Sequence, residues 1–365
     1  MDLYDKYKLK RVINADGKMT ILGVSKVSDE VVNAQKLGAQ NFFEMSDLLV
    51  KTGEYLARLV GSEDALVVNS ASAGIAESLA GIIGQGSQYH VYHPYTDRIT
   101  KREVILPMGH DVDYGTPVDV MISVAGGKMV PAGYSNMCKP EHLEMQITDQ
   151  TAAILYIKSH HTVQKSMLTI PEAIEVAHRH SLPLVLDAAA EEDLLKYIKM
   201  GADIVIYSGA KAIEGPASGV IFGKSEYIKW ARMQGFGIGR AMKIGKENII
   251  GLTAAIAKYL KDGSESGESM IERLKPFVDN LAQIPNMDVK IVQDGAGREI
   301  YRAEVKPTGN LSAKEICDQL RNGEIAIYAR EYRVNEGIIE FDIRAVNEVE
   351  MYQIVSRLKE IVGGN

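Results

Sequence analysis

Cysteine is nearly absent: the 365-residue chain holds two, Cys138 and Cys317. They stand far apart and without metal-ligand spacing. That excludes a disulfide framework and a zinc module, and the expectation is no metal and a reduced, cytoplasmic setting. No apolar run approaches the roughly 20 residues of a membrane span. The opening MDLYDKYKLKRVINADG has no apolar signal core. Net charge is −7 and no long basic run offsets it, so neither a membrane nor a nucleic acid is an expected partner. There is no internal repeat and no low-complexity tract.

What is present is a chain 46% hydrophobic and 24% charged, enough for one large or two medium globular domains. Its most informative stretch is Leu182 to Lys224. The apolar runs Leu184–Leu186, Ile204–Tyr207 and Val220–Phe222 read as buried strands. Asp187 closes the first, and Ser208-Gly209-Ala210-Lys211 closes the second. In an α/β sheet such residues fall at the carboxyl edge, where ligands bind. An acid and a lysine there suit pyridoxal 5'-phosphate. Lys211 would carry its aldehyde, and Asp187 would pair with the protonated ring nitrogen. Partial burial favours the neutral amine that this chemistry needs.

Upstream, Ala65–Asn69 is a strand that runs into Ser70-Ala71-Ser72-Ala73-Gly74 and a helix. Small residues at a helix N-terminus let a phosphate reach backbone amides, and Ser70 and Ser72 add hydroxyls. Glu103–Pro107 and Val118–Ile122 read as strands, with His110 between them. Ala152–Ile157 is a buried strand followed by the polar run Lys158 to Lys165, whose His160 and His161 could act as general acids. Gly239-Arg240-Ala241-Met242-Lys243-Ile244-Gly245-Lys246 sets three cations at intervals of three, which suits an anionic substrate. The glycine-rich Gly235–Arg240 lacks the preceding strand of a dinucleotide fingerprint. After the polar turn Lys261–Gly267, helices and strands alternate to the end of the chain, and Arg344 closes the last strand, expected over Ile338–Ile343.

The chain resembles the pyridoxal-phosphate enzymes of the aspartate-aminotransferase-like fold. Within them it is most similar to the group of selenocysteine synthases and D-glucosaminate-6-phosphate ammonia-lyases. Val12–Ala15, Ala65–Asn69, Asp187, Ser208–Lys211 and Gly239–Lys246 carry the likeness, in the family's order. The resemblance implies an α/β fold: a pyridoxal-phosphate-transferase-like large domain with a mainly parallel sheet, and a smaller C-terminal α+β domain. The expected divisions are an arm over 1–17, the large domain over 18–250 and the small domain over 251–365. Ser70, Ala71, Ser72 and Ser208 would hold the cofactor phosphate, and His110 would stack on the ring. Arg240, Lys243, Lys246 and Arg344, with Arg330 as second choice, would bind the substrate's anionic groups. The implied reaction is the loss of water and ammonia from an anionic hydroxy amino acid, D-glucosaminate 6-phosphate, giving 2-keto-3-deoxygluconate 6-phosphate. A homodimer or higher homo-oligomer is implied as well. Two alternatives stand beside it: a transferase acting on seryl-tRNA, and a cofactor-free protein that keeps the fold. Where the synthases carry a Gly-Arg loop near the start, this chain has Leu22-Gly23-Val24-Ser25-Lys26.

Overall fold

The protein is described from a computed structural model, over residues 2–159, 161–294 and 299–363. Twelve strands are present among these residues: β1 (Arg11–Ala15), β2 (Asp64–Val68), β3 (Glu103–Pro107), β4 (Lys128–Ala132), β5 (Thr151–Ile157), β6 (Leu184–Asp187), β7 (Ile204–Ser208), β8 (Gly219–Gly223), β9 (Met287–Gln293), β10 (Tyr301–Pro307), β11 (Ile325–Ala329) and β12 (Ile339–Phe341). They fall in two compact units. One is Val27–Gly263; the other joins Met1–Lys26 to Ser264–Asn365.

The larger unit is built on a seven-stranded sheet in the order β2-β8-β7-β6-β5-β3-β4. Only β8 runs antiparallel to its neighbours, β2 and β7; the other pairs are parallel. Every residue of β5, β6 and β8 is buried. Strands covered on both faces need apolar side chains in both directions, which is why they read as continuous runs and not as alternation. Helices supply the cover. The helix Ala71–Gly84 is almost wholly buried and lies over the sheet, its Gly74 against Ile206 and Ile221.

One expected element is corrected and one unexpected strand is added. Val118–Ile122 is not a strand but part of a helix, Val118–Val124. Pro117 sets its first turn, and Val118 and Ile122, four residues apart, face inward together. The strand β4 has little sequence signal, because Lys128-Met-Val-Pro-Ala is short and carries a proline. At the sheet edge Pro131 needs no ladder partner on its open side.

The smaller unit holds an antiparallel sheet, β12-β10-β9, and a parallel pair, β1-β11. Because β1 pairs with β11, the first residues belong to this unit and not to a free arm. The larger unit runs on through the helix Lys246–Asp262, which packs on the helix Asp29–Gln40, so the units part after Gly263 and not at 250. In the small unit, Arg302 crosses a buried space between Asp294 (Nη1–Oδ1 3.0 Å) and Asp342 (Nε–Oδ2 3.3 Å). No helix among the described residues is long and apolar enough to cross a membrane.

Candidate active site

Asp187 ends β6 in register with Ile157 of β5 and Ile206 of β7. Its carboxyl is buried. Oδ1 accepts a hydrogen bond from the Ala189 amide at 2.9 Å, and no bond is made to Oδ2 among the described residues. Burial pushes the acid up to about 6; the Ala189 amide and the positive charge of Lys211 draw it back only in part.

Lys211 stands in the loop between β7 and β8. Gly209 donates to Ser218 O at 2.9 Å, Gly215 donates to Gly209 O at 2.7 Å, and the Ser218 hydroxyl donates to Pro216 O at 2.6 Å. A Cβ on Gly209 would lie 2.2 Å from the Ser218 hydroxyl, so glycine is required for the loop to close. The loop is therefore folded in on itself, and Lys211 is half-buried. This is the re-entrant hairpin that the apolar run Val220–Phe222 implies.

Beside it lies the N-terminus of the helix Ala71–Gly84. Ser70 caps it, accepting from the Ala73 amide at 3.0 Å. A Cβ on Gly219 would meet Ser70 C and Ala71 N at 2.6 and 2.7 Å. That absence of a side chain lets β8 press the turn close, and Ser208, paired with Gly219, comes with it. Tyr114, which carries no motif signal, joins this group: the Ser72 hydroxyl and the charge of Asp187 both act on its phenol. Its only sequence cue is a lone tyrosine in a Asp113-Tyr114-Gly115 turn after a buried strand. Asp187, Lys211, Ser70, Ala71, Ser72 and Ser208 are thus gathered at one sheet edge.

Other candidates are not gathered there. His110 is enclosed: its ring meets Tyr156 edge-on at 4.5 Å, and Nδ1 accepts from Ile157 N at 3.4 Å. Burial and the charge of Lys158 hold it down to about 4. A ring with no open face is not the stacking platform expected. Lys246 is corrected too. Its ammonium donates to Gly38 O, Ala39 O and Asn41 O at 2.6–2.7 Å, capping the C-terminus of the helix Asp29–Gln40. All three of its N–H groups are engaged, which leaves none for a substrate. Arg344 makes a two-point bond to Asp342 (Nε–Oδ1 3.0 Å, Nη2–Oδ2 2.8 Å), so its fork already grips a carboxylate of this chain. Arg330 lies over the Tyr332 ring, 4.3 Å from its centroid, and near Glu340.

Arg240 and Lys243 are exposed, and they line a cavity of about 210 Å³ with Met45, Leu66, Val68 and Glu77. Neither Lys211 nor Asp187 lines it. His161 is exposed, its amide bonded to the Ser159 hydroxyl at 3.2 Å. His160 lies outside the described residues.

A mostly parallel sheet with one antiparallel re-entrant strand, and an acid and a lysine at its carboxyl edge, defines the class: a pyridoxal-phosphate-transferase-like α/β protein. Within that class the sequence profile described as SelA, L-seryl-tRNA selenium transferase, matches residues 12–294, and the chain belongs to that family. It is 45% identical to the D-glucosaminate-6-phosphate ammonia lyase of Salmonella typhimurium, over 99% of this chain and 98% of that one. It is 33% identical to a 5'-C-glycyluridine monooxygenase-decarboxylase of a Streptomyces species, over 96% and 90%. A solved structure of a D-glucosaminate-6-phosphate ammonia-lyase matches with a TM-score of 0.95 and 44% identity, over 100% and 99% of the two chains.

Proposed function

We propose that the protein is a pyridoxal-phosphate-dependent ammonia-lyase acting on D-glucosaminate 6-phosphate. The observation that carries this is likeness to that enzyme along the whole chain, in sequence and in structure. The relative at 33% identity bears a different activity in its name, so the family alone does not fix the reaction.

The residues fit the cofactor. Asp187 is a buried acid with no salt bridge among the described residues, and a protonated ring nitrogen would supply a close countercharge. Lys211 offers the primary amine for the aldehyde. Ser70, Ala71, Ser72 and Ser208 surround a helix N-terminus that favours a phosphate. When bound, the cofactor supplies an electron sink for charge that develops at the substrate Cα.

With substrate in the site, the Lys211 amine would be the base that takes the Cα proton. Asp187 stays ionised against the ring nitrogen and keeps the sink effective. The C3 hydroxyl would leave as water on a proton from a separate acid, and the Cα proton would stay on Lys211. Water then returns as the nitrogen is hydrolysed away, so the net products are 2-keto-3-deoxygluconate 6-phosphate and ammonia. His161 is the described histidine assigned to protonate the leaving hydroxyl. Arg240 and Lys243 are assigned to the substrate's phosphate or carboxylate within a homo-oligomer. Support for an assembled form comes from fully exposed Phe42 and three-quarters exposed Phe236, on the segments that flank their cavity.

The test is release of keto acid and ammonia from D-glucosaminate 6-phosphate by the cofactor-loaded protein. Lys211→Ala should abolish both the turnover and the visible absorbance of the bound aldehyde. A coloured, active K211A protein would refute the assignment. The family profile favours a second reading, transfer to seryl-tRNA. The net charge of −7 opposes it, and a gel shift with seryl-tRNA would decide.

A further inference from the structure

One buried polar atom at the sheet edge has no role in this scheme. Tyr114 lies in the loop between β3 and the helix Val118–Val124. The loop is fixed: Gly115 N donates to Asp113 Oδ1 at 2.7 Å, and Asp113 bridges to Pro117. The ring packs against the apolar cluster that includes Val68, Leu106 and Val118. The hydroxyl at its tip is buried and, among the described residues, has no partner within hydrogen-bonding geometry. A buried donor left in that state costs about 1–3 kcal/mol. Phenylalanine would pack the same space without that cost, so the hydroxyl needs another explanation.

Its neighbours point to one. The Ser72 hydroxyl is close enough to act on the phenol, whereas Asp187 acts on it through charge. Burial raises the phenol above its ordinary pKa, Ser72 draws it back in part, and the charge of Asp187 adds to the rise. At neutral pH the group is therefore a proton donor. Ser72 stands in the first turn of the helix Ala71–Gly84, where unpaired amides also collect.

We propose that Tyr114 is a positioning residue for the cofactor, its hydroxyl donating, together with that of Ser72, to the phosphate held at the N-terminus of the helix Ala71–Gly84. This rests on the cofactor reading above. It assigns the phosphate end, and not the ring, to Tyr114, because Ser72 of the helix N-terminus is the side chain whose hydroxyl acts on its phenol, whereas Asp187 acts through charge alone.

The experiment is a titration of full-length apoprotein, wild type and Tyr114→Phe, with pyridoxal 5'-phosphate and with pyridoxal, followed by visible absorbance. A hydrogen bond to a charged phosphate predicts a roughly 10- to 100-fold weaker Kd for the phosphorylated aldehyde in Y114F. The Kd for pyridoxal should not move. Ser72→Ala should weaken the same ligand, and the double variant should lose less than the two factors multiplied. The melting temperature of apo Y114F should equal or exceed that of the wild type. Unchanged affinity for the phosphorylated aldehyde would overturn the assignment, and so would an equal loss for pyridoxal. A lower apo melting temperature would mark the hydroxyl as structural and overturn it too. Wild type that takes up neither aldehyde would overturn the cofactor reading and this inference with it.

Discussion

Two buried aspartates, each at the end of a strand, have opposite surroundings. In the small unit, burial works against the charge of Asp342, yet the Arg344 and Arg302 guanidiniums outweigh it and hold the acid below its ordinary value. In the large unit, Asp187 has an amide and a more distant ammonium, and burial wins. The first carboxylate is finished within the fold. The second is left wanting a cation. A satisfied buried charge is a structural element, and an unsatisfied one is a candidate for chemistry. Amino-acid type does not distinguish them, since both are aspartates at the carboxyl ends of short strands.

The largest effect expected from this contrast is on Asp187. Asp187→Asn removes the countercharge for the ring nitrogen, and turnover should fall by at least roughly a hundredfold, the scale of losing one placed electrostatic group. Stability should move the other way. The folded-state acid titrates near 6 and the unfolded one near 3.8, so at neutral pH the charged carboxylate costs stability. Apo D187N should therefore melt at or above the wild-type temperature. A clear drop would mean that Asp187 supports the fold much as Asp342 does.

The small unit gives the converse. Arg302→Met takes a buried guanidinium away from both Asp294 and Asp342, and of these two pairs only Asp342 keeps a second arginine, Arg344. Breaking a buried pair from one side costs about 3–5 kcal/mol. Denaturant unfolding of R302M should show that loss. Activity per folded molecule should hold, as measured at a temperature where the variant remains folded. A stable R302M with changed turnover would reverse the assignment of the two regions.

This contrast also marks where the sequence stops being informative. The strands β5 to β8 are legible because burial on both faces leaves a continuous apolar run. Asp187 and Lys211 are legible because they stand where those runs end. Lys246 and Arg344 are misread because a cation's partner is set by distant chain: three carbonyls over residues 38–41 for one, and Asp342 for the other. His110 is misread for the same reason, since enclosure by Tyr156 and β5 decides whether a ring has an open face. Val118–Ile122 misleads locally. Its β-branched residues suggest a strand, but Pro117 and the inward pair Val118 and Ile122 favour a helix over Ala71–Gly84.

Glu77 sharpens the comparison with the smallest effect. Like Asp187 it is a buried acid without a salt bridge among the described residues, and burial alone pushes it up to about 8. Unlike Asp187 it has no lysine acting on it, and it lines the cavity that excludes Lys211. The unfolded chain gives up this proton near 4.5 and the folded protein keeps it to about 8. In between, the unfolded state binds fewer protons, so stability falls as pH rises. Glu77→Gln removes that titration. The stability difference, variant minus wild type, should grow by roughly 1–3 kcal/mol between about pH 5 and about pH 8, with turnover at saturating substrate little changed. Urea unfolding at the two pH values measures the growth. If E77Q instead loses activity as D187N does, a buried acid without a partner is enough to mark a functional group here. If it does not, the neighbouring amine is the distinguishing feature, and the contrast between the two aspartates rests on what surrounds the charge and not on burial alone.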